Sequence, residues 1–160
     1  MEENPQPIRV KPPRGIFPAR VDDKGRLKLP AAFKGYLEQL GEKDVFVSSF
    51  DGRIARIYTL PAWEETEKFL TQDGEDLAER KRIYHLTMHY GADSRMDDQG
   101  RILINSDLRR EMGVESQPVK LMFFRDVIQV WSEAVDQEKL AAARTVGSEE
   151  IEKQETKGLR

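Results

Sequence analysis

The sequence predicts an α+β fold in which one strand-rich unit occurs twice, because three patterns agree. Residues 21–30 (VDDKGRLKLP) resemble residues 96–105 (MDDQGRILIN), so that Asp97 repeats Asp22 at an offset of 75 residues. Short apolar segments typical of paired strands follow each copy. Between the copies, residues 61–90 distribute apolar side chains among polar ones as an amphipathic helix does. Similarity at a fixed offset indicates two related units in tandem.

Each unit is predicted to run strand, glycine turn, strand, short helical turn, strand, strand and helix. The turn contains an Asp-x-x-Gly-Arg motif, and its glycine accepts the positive φ that tight hairpins need. In the first copy Thr59 is a candidate N-cap and Pro61 suits the first helical turn, while Ser132 begins the equivalent helix of the second copy. Gly74 lies in the stretch 71–75, which is expected to divide the linker into two helices. The later strands are predicted at residues 45–47, 54–58, 119–121 and 127–131.

The predicted organisation has a flexible segment at each end. The successive segments are 1–12 (Pro-rich arm), 13–60 (first unit), 61–92 (helical linker), 93–145 (second unit with its C-terminal helix) and 146–160 (acidic tail). The tail is rich in glutamate and poor in large apolar residues, so it has little to bury in a core.

Composition excludes several classes of site and of protein. The chain has no cysteine, which removes disulfides, thiolate zinc sites and cysteine nucleophiles. No run approaches the roughly 20 apolar residues of a membrane helix. Prolines near the N-terminus interrupt any signal-peptide core. We therefore expect a cytoplasmic protein with no membrane association.

Charge is unevenly distributed along the chain. The net charge of −3 argues weakly against nucleic-acid binding, but a binder can concentrate its cations on one face. Residues 9–34 contain eight lysines and arginines against two aspartates, and this segment is a candidate phosphate-facing surface. The alternative is an ordinary solvated face.

The Asp-x-x-Gly-Arg motif carries the clearest chemistry. The turn brings Asp22 near Arg26 and Asp97 near Arg101, and a carboxylate paired with a guanidinium restricts that side chain. An arginine held in this way can present its donors to the N7 and O6 edge of guanine, or to a phosphate. Basic residues beside it would bind phosphates without reading sequence. The alternative is two ordinary hairpin ion pairs, each contributing little to stability if exposed.

The motifs and their surroundings resemble the MraZ family. The two Asp-x-x-x-Arg segments resemble that family's paired signatures, and Arg14-Gly15 lies at the spacing of its N-terminal Arg-Gly. Residues 59–64 (TLPAWE) resemble the start of its linker helix, and residues 127–131 (VIQVW) resemble its last strand. The similarity covers roughly residues 13–145.

The resemblance implies two fused swapped-hairpin β-barrel halves of the AbrB/SpoVT type. It implies a ring-like, nucleoid-associated homo-oligomer that binds G-rich direct repeats in double-stranded promoter DNA and represses the division and cell-wall gene cluster. Asp22 and Asp97 would position the arginines, and Gly25 and Gly100 would form the turns. On this resemblance Arg26 and Arg101 match the motif arginines placed toward DNA. Together with the basic residues around them, the residues expected to contact DNA are Arg14, Arg20, Lys24, Arg26, Lys28 and Arg101.

The two copies differ in charge. Lys24 and Lys28 of the first copy are replaced by uncharged residues in the second. The first arginine is therefore expected to lie among lysines that the second lacks, which predicts that Arg26→Ala weakens DNA binding more than Arg101→Ala. Asn105 stands where the family pattern usually has proline.

Other candidate sites have less support. His85 and His89 could share a metal across one helical turn, but no third ligand is evident and a structural role is favoured. The doubled aspartates of the two turns could attract a cation, although adjacent basic residues favour ion pairing. No phosphate-binding glycine loop and no catalytic Ser/His/Asp constellation stands out. We therefore expect no enzymatic activity, cofactor, metal or small-molecule substrate.

A second functional hypothesis is a protein-interaction module. Its specific form is an antitoxin-like scaffold whose acidic tail folds on a partner. A tight protein partner, without salt-sensitive DNA affinity, would favour this hypothesis over DNA binding.

Overall fold

A computed structural model describes residues 10–160 as eight strands and six helices; residues 1–9 of the predicted arm lie outside the described residues. The strands are β1 (Ile16–Val21), β2 (Arg26–Lys28), β3 (Asp44–Ser49), β4 (Ile54–Thr59), β5 (Ala92–Arg95), β6 (Arg101–Leu103), β7 (Pro118–Phe124) and β8 (Val127–Ser132). The helices are α1 (Ala31–Leu40), α2 (Leu60–Thr71), α3 (Leu77–Tyr90), α4 (Ser106–Met112), α5 (Glu133–Ala143) and α6 (Ser148–Lys157). The predicted α+β class and the order of elements in each unit are confirmed.

The strands of the two repeats interleave in one antiparallel sheet, in the order β5-β3-β4-β8-β7-β1-β2-β6. Strand β1 of the first repeat pairs with β7 of the second, and β5 of the second pairs with β3 of the first. Strands β2 and β6 pair with each other, as do β4 and β8. The end strands β5 and β6 also touch, so the sheet is a nearly closed barrel. This exchange of hairpins between halves is the predicted swapped-hairpin arrangement.

A pseudo-two-fold axis relates the repeats. It passes between Leu27 and Ile102, which are equivalent in the two copies and pair with each other at the centre of the β2–β6 ladder. Both side chains are fully buried. The core takes further equivalent residues from each half, such as Phe33 of α1 and Leu108 of α4. Because one buried cluster takes residues from both repeats, the two halves share this core. Burying each such side chain contributes roughly 1.5–3 kcal/mol to stability.

The predicted helix signals are confirmed. The Thr59 hydroxyl caps α2 by accepting a hydrogen bond from the backbone N–H of Ala62 at 3.3 Å. The Ser132 hydroxyl caps α5 by accepting from the N–H of Val135 at 3.2 Å. The break expected within residues 71–75 separates α2 from α3.

The acidic tail differs from the expectation. Residues 146–160, predicted to be flexible, include helix α6, and none of its ten residues is buried. Glutamates in its first turn and a lysine in its last turn interact favourably with the helix dipole. Most of its residues also have good helix propensity. Low apolar content therefore keeps this segment out of the core without preventing helix formation.

Candidate nucleic-acid interface

Both Asp-x-x-Gly-Arg motifs form the same closed turn. In the first hairpin, the N–H of Asp22 donates to the carbonyl of Arg26 at 2.9 Å, and the N–H of Gly25 donates to the carbonyl of Asp22 at 3.1 Å. The corresponding distances in the second hairpin are 3.0 and 2.9 Å. Gly25 and Gly100 have φ values of +82° and +78°, a region that side chains with a Cβ disfavour. The turns predicted from the glycines are therefore present in both copies.

Each aspartate holds its arginine at two points. Asp22 accepts the Nε–H of Arg26 at 2.8 Å and the backbone N–H of Arg26 also at 2.8 Å. Asp97 accepts the same groups of Arg101 at 2.7 and 2.9 Å. Among the hydrogen bonds of residues 10–160, the Nη groups of both guanidinium ions have no protein partner. A guanidinium fixed at Nε with free terminal donors can bind a guanine edge or a phosphate.

These hydrogen bonds also lower the pKa of both aspartates below the usual 3.8. For Asp22 the largest effect is the backbone N–H of Arg26, and for Asp97 it is the backbone N–H of Arg101. Desolvation opposes the shift, and the paired guanidinium adds to it. Both carboxylates are therefore ionised at neutral pH and remain acceptors for the arginines.

The β2–β6 ladder brings the two arginines onto one outward face. Lys28 lies directly opposite Arg101, and Arg26 lies directly opposite Leu103. Because the central pair of this ladder is buried, the residues that flank it point outwards. Each arginine therefore has, as its closest cross-strand neighbour, a residue from the other repeat.

Pairing of β2 with β6 gives Lys28 a second basic neighbour: it shares the outward face of β2 with Arg26, two positions away, and lies directly opposite Arg101 of the other repeat. Arg20 on β1 lies opposite Lys28, so Arg20, Lys28 and Arg101 form a line across three strands, here named the cation row. Like charges placed directly opposite each other destabilise a sheet. The cation row is therefore a surface that an anionic partner would stabilise.

The remaining sequence-predicted residues lie around this row. Arg20 is oriented by a hydrogen bond from its Nη2 to the carbonyl of Ser116 at 3.0 Å. Lys24 is exposed at the tip of the first turn, and Arg14 is exposed just before β1. The structure thus brings Arg20, Lys28 and both motif arginines together, with Lys24 and Arg14 at the periphery.

Two basic residues that the sequence reasoning missed support the turns from the opposite repeat. Arg109 of α4 packs against Gly25 and donates to the carbonyl of Ile104, whose N–H donates to the carbonyl of Gly25 at 3.0 Å. Lys34 of α1 packs its aliphatic stem against Gly100. The repeat similarity extends to residues 33–34 and 108–109, which marks Lys34 and Arg109 as equivalent basic residues. That similarity does not indicate which turn each side chain contacts.

Asn105 shows how the chain accommodates a departure from the family pattern. Its side chain accepts a hydrogen bond from the N–H of Asp107 at 3.3 Å and so caps α4. The equivalent Pro30 precedes α1 without any side-chain cap. Asparagine is a favourable N-cap, so this exchange is compatible with the same helix start.

No protein-family model matches the chain, but it is similar to curated transcriptional regulators from several bacteria. The "Transcriptional regulator MraZ" of Acidobacterium capsulatum is 40% identical over 106 residues, covering 66% of this chain and 73% of that protein. The chain belongs to the MraZ family of transcriptional regulators. Its MraZ relative from Koribacter versatilis is 34% identical over 116 residues, covering 72% of this chain and 79% of that protein. The MraZ protein of Thiobacillus denitrificans is 29% identical over 138 residues, covering 86% of this chain and 93% of that protein.

The other candidate sites do not assemble in this MraZ-family chain. His85 and His89 are exposed on α3. Within residues 10–160, no three histidine, aspartate or glutamate side chains are grouped as a metal site requires. No helix in the same range is both long enough and apolar enough to span a membrane. Among residues 10–160, the paired hairpins remain the candidate functional site.

Proposed function

We propose that this chain is a sequence-specific DNA-binding regulator without enzymatic activity. The observation that carries the proposal is the pair of aspartate-held arginines on one outward face, whose terminal donors have no hydrogen-bond partner among residues 10–160. Pairing through Nε fixes the orientation of a side chain that is otherwise flexible. Because both arginines lie on adjacent strands, they reach the same segment of duplex.

On this proposal the arginines read guanine and the surrounding cations bind phosphate. Arg26 and Arg101 donate to the N7 and O6 acceptors of guanine in the major groove. Lys28, Arg20 and Lys24 bind phosphate oxygens and orient the duplex without reading its sequence. A two-stranded β-ribbon fits the major groove, which agrees with the β2–β6 ladder as the inserted element.

Membership of the family also supports a proposal for assembly and regulation. We propose a ring-like homo-oligomer that engages several G-rich direct repeats at once and represses the division and cell-wall gene cluster from the nucleoid. Linked copies raise the effective concentration of each site near its neighbour, so weak individual contacts suffice for tight binding. Light scattering coupled to size exclusion measures the subunit number directly.

The test is a binding titration with duplex DNA from upstream of the protein's own gene. Wild type is compared with Arg26→Ala, with Arg101→Ala and with the double variant, while Lys157→Ala on the exposed α6 serves as the charge-matched control. Loss of a bidentate guanine contact costs about 1–3 kcal/mol, which corresponds to roughly 5–150-fold weaker binding for each arginine. The Lys157 variant is expected to bind as wild type does.

A second duplex isolates the guanine contact. Replacing guanine by 7-deazaguanine removes the N7 acceptor and leaves the phosphates unchanged. Wild type is expected to lose affinity for this duplex, whereas the double arginine variant is expected to bind both duplexes equally. Full affinity of the double variant for the unmodified DNA would refute the mechanism, and a tight protein partner without DNA affinity would favour the interaction-module hypothesis.

A further inference from the structure

We propose that the two halves of the DNA-facing surface differ in charge, so that the surface binds a duplex in one orientation. This inference rests on the function proposed above. The pseudo-two-fold axis passes between Leu27 and Ile102. A surface that obeyed this axis would fit a duplex equally well in both directions, because symmetric proteins contact symmetric DNA elements. The charges on this surface do not obey the axis.

One half of the surface is positive throughout. Its outward residues are the three cations of the cation row, with Pro18 beside Arg20 on β1 and Pro118 opposite Arg20 on β7. A groove of about 450 Å³ runs along this half and is lined by residues that include Pro18, Arg20 and Lys28. It therefore presents three positive charges and no negative one at these positions.

The other half has the same backbone positions but no net charge. Arg95 occupies the position equivalent to Arg20, and Asp44, opposite Arg95, occupies the position equivalent to Pro118. Arg95 Nη1 and Asp44 Oδ1 form an ion pair at 2.9 Å. Asp93 replaces Pro18, and Leu103 replaces Lys28. A cleft on this side is lined by residues that include Asp44 and Asp93. Two positive charges, those of Arg26 and Arg95, thus face two negative ones.

The turn tips do not restore the balance. Lys24 adds a cation beside Arg26, but Asp23 precedes it. In the other turn Asp98 lies 3.7 Å from Lys43, which offsets its charge. Each motif aspartate neutralises one arginine in the same way on both sides. The difference between the halves therefore lies in the exchange of Lys28 for Leu103 and of two prolines for two aspartates.

This difference assigns unequal tasks to the two halves. The phosphodiester backbone is attracted to the cation row and repelled by Asp44 and Asp93, so one strand is held at the row. Arg101 lies within the row, whereas Arg26 has an uncharged cross-strand neighbour. We therefore expect Arg101→Ala to weaken binding more than Arg26→Ala does, the reverse of the order that sequence proximity suggests.

The first test compares equivalent cations in the two halves. Arg20→Leu removes a cation from the row, and Asp44→Asn with Arg95→Leu removes its equivalent together with the carboxylate that neutralises it. The duplex is DNA from upstream of the protein's gene, titrated at several salt concentrations. Each lost phosphate contact makes the slope of log binding constant against log salt concentration shallower by about 0.9. At 0.15 M salt this corresponds to about fivefold weaker binding. This loss is expected for Arg20→Leu and not for the Asp44/Arg95 variant.

The second test reads orientation directly. Because the chain has no cysteine, Asp23→Cys and Asp98→Cys each provide a single attachment point for an iron chelate that cleaves nearby DNA. Each label is expected to cut on one flank of a bound element, the two labels on opposite flanks. Exchanging the asymmetric pair by Lys28→Leu with Leu103→Lys is expected to weaken or reverse this preference. Both residues are exposed, and circular dichroism of the exchanged variant monitors the fold.

The outcomes separate this inference from the function on which it rests. Absence of salt-dependent DNA affinity in wild type would refute the proposed function and this inference with it. The orientation alone would be refuted if wild type binds DNA but the Arg20 and Asp44/Arg95 variants lose affinity equally and each label cuts both flanks. Unequal losses with one-sided cleavage would support it.

Discussion

Replacing Gly25 with alanine tests how the second repeat supports the first hairpin. A Cβ at Gly25 would lie 2.0 Å from Nη1 and 2.2 Å from Cζ of Arg109, so the guanidinium must move away. A Cβ at Gly100 would lie 2.9 Å from Cδ of Lys34, whose flexible stem can shift. Gly113 is the matched control, because its φ is +68° and a Cβ there meets nothing within 4 Å.

The expected losses of stability differ because only one variant breaks a charged hydrogen bond. Alanine in the left-handed region costs roughly 1–2 kcal/mol at all three positions. At Gly25 the displaced Arg109 also loses its hydrogen bond to the carbonyl of Ile104, which costs about 1.5–3 kcal/mol for a charged donor. The free energy of unfolding should therefore fall by about 2.5–5 kcal/mol for Gly25→Ala. Gly113→Ala should lose only the conformational part, and Gly100→Ala little more.

Urea unfolding followed by circular dichroism measures these differences. All variants are compared at one protein concentration, because assembly makes apparent stability depend on concentration. Equal destabilisation by Gly25→Ala and Gly113→Ala would refute the idea that Arg109 supports this turn. A DNA titration of the same variants shows whether loss of that support also displaces Arg26.

Three further predictions concern the same elements. Asp22→Asn and Asp97→Asn remove the charged acceptor of the arginine Nε and should each weaken DNA binding roughly tenfold or more, measured by fluorescence anisotropy; unchanged affinity would contradict the positioning role. Because both aspartate pKa values are lowered in the folded protein, their stabilisation is complete above the unfolded value of 3.8 and is lost as pH falls below it. Carboxyl NMR titrations should give midpoints below 3.8, and a midpoint above it would overturn this assignment. Thr59→Ala removes the cap of α2 and should cost about 1 kcal/mol in thermal unfolding, whereas the exposed Glu64→Ala should cost less.

Local features were predictable because their causes lie within a few residues. The glycine turns, the Asp–Arg pairs and the N-caps at Thr59 and Ser132 each depend on side chains at most four positions apart. The break between α2 and α3 likewise follows from a short run with glycine. Sequence patterns of this kind encode backbone conformation directly.

Non-local features were not predictable from the residues alone. The neighbour of Lys28 depends on β2 pairing with β6, and the contact of Arg109 with Gly25 depends on packing across 84 positions of sequence. Helix α6 was missed for another reason, since disorder was inferred from low apolar content whereas a solvated helix needs only favourable propensities and charges. The resemblance supplied the swapped arrangement but not which cations it brings together.

The interleaved sheet has a consequence for how the two halves can change. In a dimer of two identical chains, every substitution appears on both sides of the symmetry axis. Here a single chain joins the halves through α2 and α3, so position 28 can hold lysine while its equivalent, position 103, holds leucine. The covalent link also makes pairing of β1 with β7 independent of protein concentration. Fusion thus permits each half to be altered separately while both continue to complete one barrel.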